Sequence, residues 1–240
     1  KFEVGRNFTN KIWNAARFVL MNLQDFKGGS LDPKFTGMSY TNFYIISRLE
    51  NAAKEIERHL SAFNISQAAI TTYHFVWNQF CDWYIEFSKS NLNSPDQKET
   101  TQSVLFFVLE RTLRLLHPFM PFITEEIWQK LKESAADKES WPPALIKAPW
   151  PTDLISKQRP QDPENEMSFR VLEQAVGGIR ELRTSLNIPP GKLLRAVVRY
   201  RDDIVCRALR LSEKEITHLA RLESLEFKKD FKHGKSHVGH

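Results

Sequence analysis

The sequence is poor in cysteine and lacks the features that would place it in several large classes of protein. It has 240 residues and only two cysteines, Cys81 and Cys206, which lie far apart and without the spacing of metal ligands. We therefore expect both thiols to stay reduced, as in a cytosolic protein. No apolar run approaches the length of a membrane span, and no signal peptide opens the chain. These absences predict a cytoplasmic protein with no membrane partner.

The charge surplus is small. Lysine and arginine together number 34 against 29 aspartate and glutamate residues, which gives a net charge of +5 and a pI of about 9.1. A surplus of this size permits a nucleic-acid partner but does not argue for one. The first residue, Lys1, stands just before a helical pattern, so we expect the chain to be part of a longer protein.

Apolar residues recur at helical spacing through the first half of the chain. They predict five helices, over residues 4–26, 41–63, 66–92, 95–117 and 121–133, with a loop at residues 28–37. We expect Ser66 and Ser94 to cap the third and fourth helices. The third helix is aromatic on nearly every side and should therefore be central. Five helices without a strand pattern predict a mainly α fold, an antiparallel α-helical bundle.

The composition changes after the fifth helix. Six of the twelve prolines fall between Ser134 and Glu164, with Trp141 and Trp150 among them. We expect this segment to be extended and to pack on the bundle through its tryptophans. The rest predicts a small C-terminal α/β appendage, with a helix at 164–186, strands at 193–200 and 223–229, and a short helix at 212–222. The predicted domains are therefore 1–133, 134–163 and 164–240.

The chain lacks the common signatures of catalysis. It has no Gly-rich phosphate loop and no Cys/His cluster with zinc spacing. His233, His237 and His240 lie close together, but we interpret them as a flexible tail because nothing preorganises them as ligands. Glu125 and Glu126 are adjacent on a helix and point to different sides, and the helix dipole explains their position. We therefore predict a binding module with no catalytic residues of its own.

The first helix carries two kinds of face. Its core stripe repeats at helical spacing through Phe8, Ile12, Ala15 and Val19. Beside it run two outer stripes, Asn7, Lys11, Asn14 and Phe18, then Arg6, Asn10 and Arg17.

The outer stripes offer cations for phosphates, amides for base edges and one aromatic ring for stacking. Residue types alone favour the plainer interpretation, in which Phe18 lies at the edge of the core and the polar residues are solvated. Trp13 lies away from both sets, and we expect it to be buried against another helix.

Four stretches resemble the anticodon-binding domain of the valyl-tRNA synthetase family, which belongs to the class I aminoacyl-tRNA synthetases. They are GRNFTNKIWNAARFVLMNL (5–23), FVWNQFCDWYIEFSK (75–89), LRLLHPFMPFITEEIWQKL (113–131) and IRELRTSLNIPPGK (179–192). The HPFMPF motif identifies only the broader class, whereas the pattern RNF-NK-WNA-RF is similar to the valyl enzymes. The stretch RFVLMNLQDF also resembles isoleucyl enzymes, which are the closest competitor.

This resemblance implies a helical bundle that sits beside a catalytic core and holds the anticodon stem and loop of a tRNA. Lys11, Arg17 and Phe18 match family positions that contact anticodon-loop nucleotides, and Asn14 lies close by. The expected tRNA-binding residues are Lys11, Arg17, Phe18, Asn14, Asn10, Asn7 and Arg6. The expected partners are a valine-specific tRNA and the catalytic domain of the same chain, in a protein that acts as a monomer.

The chain also departs from a whole enzyme of the family. The His-Ile-Gly-His type motif, the Lys-Met-Ser-Lys-Ser loop, the editing domain and the C-terminal coiled-coil arm do not occur in it. We therefore expect no cofactor in this fragment, with ATP and Mg²⁺ belonging to a parent valine–tRNA ligase.

Two other functions remain open. The same domain of an isoleucyl or leucyl enzyme is one, and a helical protein-interaction module is the other. An independent enzyme is the weakest hypothesis, since the sequence carries no catalytic constellation.

Overall fold

Helices dominate the structure, as the sequence predicts. A computed structural model of the chain describes residues 2–26, 38–151, 163–189 and 191–229. The chain divides into two compact units, residues 1–160 and 161–240. No helix within the described part is both long and apolar enough to cross a membrane. The predicted loop at residues 28–37 lies outside the described residues.

Six α-helices and one wider helical segment build the first unit. The helices are α1 (Phe2–Asn22), α2 (Tyr40–Ser61), α3 (Ile65–His74), α4 (Ile85–Leu92), α5 (Pro95–Leu116) and α6 (Pro121–Lys132). Between α3 and α4 the chain forms a π-helix over Phe75–Tyr84, which we call the π segment. The sequence predicts one α-helix here, but the backbone N–H of Ile85 bonds the carbonyl of Phe80, five residues back.

The core of this unit gathers around α5 and the π segment. Helix α5 contacts α1, α2, α4 and α6, while the π segment contacts α1 and α2. The aromatic helix is central, as predicted, but α5 is buried on nearly every side as well. The largest fully buried side chains of the unit include Trp128, Tyr84, Phe75, Phe80, Phe106 and Phe107.

A buried hydrogen-bond chain ties three elements together. The hydroxyl of Tyr84 donates to Oδ1 of Asn42 at 2.8 Å, and Nδ2 of Asn42 donates to Oγ1 of Thr101 at 3.2 Å. All three side chains are buried, so each bond satisfies a polar group that water cannot reach. Burial raises the pKa of Tyr84 well above its ordinary 10.0, so the hydroxyl stays protonated and keeps donating.

A second buried polar cluster lies on α5. Arg114 donates from Nε to Glu110 at 2.6 Å, and Nη1 of Arg111 lies 3.3 Å from the same carboxylate. The guanidinium of Arg111 also sits 3.7 Å from the ring centroid of Phe107. Arg114 further donates to the carbonyl of Pro149 at 3.1 Å. Because burying charge is costly unless it is paired, these contacts explain how α5 keeps three charged residues inside.

Two predicted caps turn out differently. Helix α3 begins at Ile65 with Asn64 at the N-cap and no side-chain capping bond, so the prediction that Ser66 caps it is wrong. Ser94 does occupy the N-cap of α5, but its side chain makes no capping bond. Its carbonyl accepts instead from the backbone N–H groups of Gln97 and Lys98, at 3.0 and 2.9 Å.

The segment after α6 packs on the bundle through Trp141. Its ring centroid lies 4.9 Å from that of Trp128 and 5.9 Å from that of Phe106. Two short 3₁₀ turns, Lys138–Ser140 and Leu145–Lys147, shape the chain here. Trp150 is half-buried and lines a cavity of about 420 Å³ beside Arg114, His117 and Ile146.

The adjacent carboxylates Glu125 and Glu126 make different structural contacts. Glu125 accepts from the backbone N–H of Leu145 at 2.8 Å, whereas Glu126 pairs with Lys130 at 3.0 Å. The first bond fastens the following segment to α6, and the second lies along the helix surface. This agrees with the prediction that the two side chains point to different sides.

The second unit is a small α/β structure, as predicted, with one helix that the sequence patterns did not reveal. Its elements are α7 (Pro163–Ser185), β1 (Leu194–Arg199), α8 (Asp203–Leu211), α9 (Glu213–Leu219) and β2 (Leu222–Lys228). The strands pair in parallel, so the chain between them must cross over, and α8 supplies part of that crossover. Asp202 starts α8 by accepting from the N–H of Ile204 at 2.8 Å, a capping signal that was present in the sequence.

Arg183 holds the loops of this unit in place. Its Nη2 donates to the carbonyls of Pro189 and Lys192 at 2.9 and 2.6 Å, and its Nη1 lies 3.4 Å from the carbonyl of Ala220. The backbone turns at Asn187, where φ is 52°, a value that asparagine tolerates after a helix. One buried guanidinium thus joins the end of α7 to the end of α9.

Replacing Tyr84 by Phe tests the buried hydrogen-bond chain. The Tyr84→Phe variant leaves Oδ1 of Asn42 unpaired, so we expect a loss of about 1–3 kcal/mol in the free energy of unfolding, measured by urea titration. Tyr73→Phe is the matched control, because the Tyr73 hydroxyl makes no hydrogen bond within the described residues. Equal losses in both variants would contradict a structural role for the bond.

Candidate nucleic-acid interface

Helix α1 buries one face and exposes the other. The predicted core stripe is confirmed, since Phe8, Ile12, Ala15 and Val19 are all buried. The ring centroid of Phe8 lies 4.8 Å from that of Tyr73 and 6.1 Å from that of Trp77. These contacts press α1 against α3 and the π segment, so its remaining surface is what a partner could meet.

Lys11 lies at the edge where α1 meets the π segment. Its ammonium pairs with the carboxylate of Asp82 and sits 4.4 Å from the ring centroid of Trp77. The Lys11 side chain is 28% exposed and that of Asp82 is 39% exposed. The Lys11 ammonium is therefore restrained by a carboxylate and an aromatic ring, and it remains partly accessible to solvent.

Phe18 follows Lys11 along the same flank, two turns later. It is half-buried, so it is neither a full core residue nor a fully exposed one. The ammonium of Lys89 lies 5.9 Å from its ring centroid, and Lys89 in turn pairs with Glu86 at 2.6 Å. A half-buried ring with a cation beside it can stack on an unpaired base.

The other predicted residues lie further round α1. Four of them are exposed: Asn7, Asn10, Asn14 and Arg17. Arg6 is also exposed and lies 3.6 Å from Glu3, a surface pair that contributes little energy. Among the described residues Arg17 makes no ion pair, so its guanidinium can meet a phosphate without first losing a partner.

The seven predicted residues do not form one cluster. At about 100° per residue, Arg17 lies about 100° round the helix from Phe18. Lys11 and Phe18 gather on the flank facing the π segment, while Arg6, Asn10 and Arg17 point to the outer side. The predicted surface is thus a broad face of α1 with one structured edge.

Trp13 corrects one prediction. We expected it to be buried against another helix, but it is 39% exposed. It projects on the same side of α1 as Arg6 and Arg17, where the helical projection alone could not say whether a neighbour is present. Its exposure places one aromatic side chain on the outer side, apart from Phe18 on the flank.

Part of the surface comes from outside α1 and was not predicted from the sequence. Trp77, Asp82 and Lys89 supply a ring, a carboxylate and a cation from the π segment and α4. A signal was present, because Asn78, Asp82 and Lys89 interrupt the aromatic helix at spacings of four and seven, which share one helical face. Polar positions in an otherwise aromatic helix mark its solvent side.

A comparison with protein families decides where this chain belongs. The family described as the anticodon-binding domain of tRNA ligase matches residues 42–198. The chain belongs to this family. The matched range starts within α2, so α1 precedes it.

Individual relatives extend the likeness over most of the chain. Valine–tRNA ligase of Geobacter sulfurreducens is 40% identical over 222 residues, and that of Syntrophotalea carbinolica is 38% identical over 224 residues. Each match covers 92% of this chain and 24% of the relative. Valine–tRNA ligase of Thermosynechococcus vestitus is 39% identical over 226 residues, covering 93% of this chain and 24% of the relative. The chain thus spans about a quarter of the length of these relatives.

The described part of this family member contains no group of three or more histidine, cysteine, aspartate or glutamate side chains that could hold a metal ion. His233, His237 and His240 lie outside the described residues.

Cys81 lies beside the Lys11–Asp82 pair and is buried. Burial raises the pKa of its thiol from an ordinary 9.0 to about 12. The Lys11 ammonium lowers that pKa and the Asp82 carboxylate raises it, both by less than burial does. Cys81 is therefore a protonated, unreactive thiol at neutral pH.

The raised pKa of Cys81 predicts a loss of stability at alkaline pH. The thiol ionises in the unfolded chain above pH 9.0 but in the folded chain only near pH 12, so its contribution is complete below pH 9 and is lost as the pH rises through that window. Between pH 8 and pH 10 we expect wild type to lose on the order of 1 kcal/mol more than Cys81→Ala, measured by urea unfolding. Parallel pH profiles for the two proteins would contradict this.

Proposed function

We propose that this chain is the tRNA-recognition module of a valine–tRNA ligase, and that the outer face of α1 binds the anticodon stem and loop. Membership of the anticodon-binding family supports tRNA as the partner. The three relatives described above share the name valine–tRNA ligase, which supports valine as the amino acid.

One observation carries the assignment to α1. Phe18, half-buried and flanked by Lys89, follows Lys11 on an edge whose outer side carries exposed amides and Arg17. A base stacked on an aromatic ring gains roughly 1–3 kcal/mol, and nearby cations add salt-dependent affinity through phosphates. Unpaired bases in an RNA loop need this combination, whereas a duplex hides its bases.

The proposal extends to the longer protein. There the ligase would join valine to its tRNA using ATP and Mg²⁺, which would bind in parts of the protein outside this chain. This chain would contribute recognition alone and lie against the catalytic domain of the same polypeptide. We include a monomeric state and a cytoplasmic location in the proposal.

A helical protein-interaction module is the second candidate, because two aromatic side chains away from the α1 face are strongly exposed. Phe63 is 88% exposed and Phe122 is 91% exposed. Filter binding to valine tRNA over a salt series separates the candidates, since a protein-only module has no steep salt dependence. The same domain of an isoleucyl or leucyl ligase is separated by charging assays of the longer enzyme with each amino acid.

Two substitutions on α1 test the proposed surface directly. Phe18→Ala should weaken binding of the 240-residue chain to valine tRNA by about 5- to 150-fold, the equivalent of one lost stacking contact. Lys11→Ala should weaken binding and make the slope of log affinity against log salt shallower by less than the roughly 0.7–0.9 of a full phosphate contact, because Asp82 already offsets part of the Lys11 charge. Filter binding at several salt concentrations measures both.

Phe122→Ala is the matched control, because it removes an exposed aromatic ring from α6 instead of α1. It should bind tRNA as wild type does. In the longer enzyme, Lys11→Ala combined with Phe18→Ala should raise the KM for tRNA and leave valine activation nearly unchanged. Equal tRNA affinity for wild type and the α1 variants would rule out this surface.

A further inference from the structure

We propose that Asp82, on the π segment, is a positioning residue that holds Lys11 in place for the anticodon loop. Its carboxylate also reduces the attraction of Lys11 for phosphates in general. This inference rests on the proposed function, because it assigns a role to Asp82 within the same RNA-binding surface.

Two contacts restrain the position of the Lys11 ammonium. Its ammonium has three N–H donors, of which the Asp82 carboxylate engages at least one. The ring of Trp77, 4.4 Å away, attracts the same ammonium. Two restraints on a side chain that otherwise rotates freely fix where the ammonium sits, while its partial exposure leaves it accessible to an RNA acceptor.

The shape of the π segment makes this double contact possible. Trp77 and Asp82 are five residues apart, and in an α-helix five residues turn through about 140° beyond a full circle. Their side chains would then leave on different sides of the helix. In a π-helix the hydrogen bond spans five residues, so positions five apart return to nearly the same side. Both side chains can therefore reach one ammonium on α1.

The negative charge of Asp82 also affects how strongly Lys11 attracts phosphates. A lysine that faces a carboxylate attracts a passing phosphate less than a free lysine does, because the local charges offset one another. Such a lysine binds RNA that places a hydrogen-bond acceptor at the fixed position of its ammonium. It attracts RNA less strongly through negative charge alone. Like a repulsive element in other specific interfaces, Asp82 would lower affinity for wrong partners.

A plainer role for the pair is to tie α1 to the π segment. The two roles predict opposite results when Asp82 is neutralised. If the pair only joins α1 to the π segment, neutralising Asp82 destabilises the fold and weakens all tRNA binding. If Asp82 positions Lys11, neutralising it frees the Lys11 ammonium, which strengthens salt-dependent binding and makes tRNA binding less selective.

The test compares Asp82→Asn with wild type in the 240-residue chain. Filter binding to valine tRNA and to a non-cognate tRNA is measured between about 50 and 200 mM salt. We expect the slope of log affinity against log salt to steepen by at most the roughly 0.7–0.9 of one full phosphate contact, so that affinity changes by up to about threefold more across that salt range than it does in wild type. The gain should be greater for the non-cognate tRNA, so the ratio of the two affinities falls.

Three further variants separate positioning from structure. Asp82→Glu keeps the charge and should retain the wild-type slope. In a Lys11→Ala background, Asp82→Asn should leave the slope unchanged, because the released cation is gone. Glu133→Gln removes the same charge from an exposed carboxylate that pairs with Lys138 at 3.4 Å, and it should alter neither slope nor selectivity.

An unchanged or shallower slope in Asp82→Asn, with Lys11→Ala still weakening binding, would overturn the positioning role and leave the proposed function standing. A steeper slope that persists in the Lys11→Ala background would also overturn it. If Lys11→Ala and Phe18→Ala both bind as wild type does, the α1 surface itself fails. Urea unfolding of each variant, at one salt concentration, shows which losses come from the fold.

Discussion

The widened turn of the π segment is the constraint on which both the core and the candidate surface depend. A regular α-helix through Phe75–Tyr84 would send Trp77 and Asp82 to different sides. The π geometry lets one stretch bury Phe75, Phe80 and Tyr84 while it presents a ring and a carboxylate to α1. The hydroxyl of Tyr84 then fastens the end of this stretch to α2, which fixes the wall against which α1 packs.

The candidate surface is distinguished by the local arrangement of its side chains and not by the total charge of the chain. A net charge of +5 over 240 residues is too small to identify an RNA-binding protein. On the α1 edge, moreover, two of the cations are paired: Lys11 with Asp82 and Lys89 with Glu86. Arg17 makes no ion pair among the described residues. Paired cations beside a ring favour shape and stacking over simple attraction, which suits a partner that must be distinguished from close relatives.

Much of the fold was predictable because it follows local periodicity. The stripe through Phe8, Ile12 and Val19 appears in the sequence at helical spacing and is buried in the structure. Trp13 shows the limit, since a helical projection gives its direction but not whether another helix lies there. The pairing of Lys11 with Asp82 could not be predicted either, because the two are 71 residues apart and meet through an unpredicted π-helix. The tRNA-binding role of the seven α1 residues stays a prediction.

The most direct test of the account is photo-crosslinking of the chain to a valine tRNA anticodon stem and loop that carries 4-thiouridine in the loop. Mass spectrometry of the crosslinked peptides then locates the contact. Crosslinks within residues 6–21, or at Trp77 and Lys89, are the predicted result. Crosslinks confined to α6 or to the second unit would contradict the claim that the outer face of α1 meets the anticodon loop.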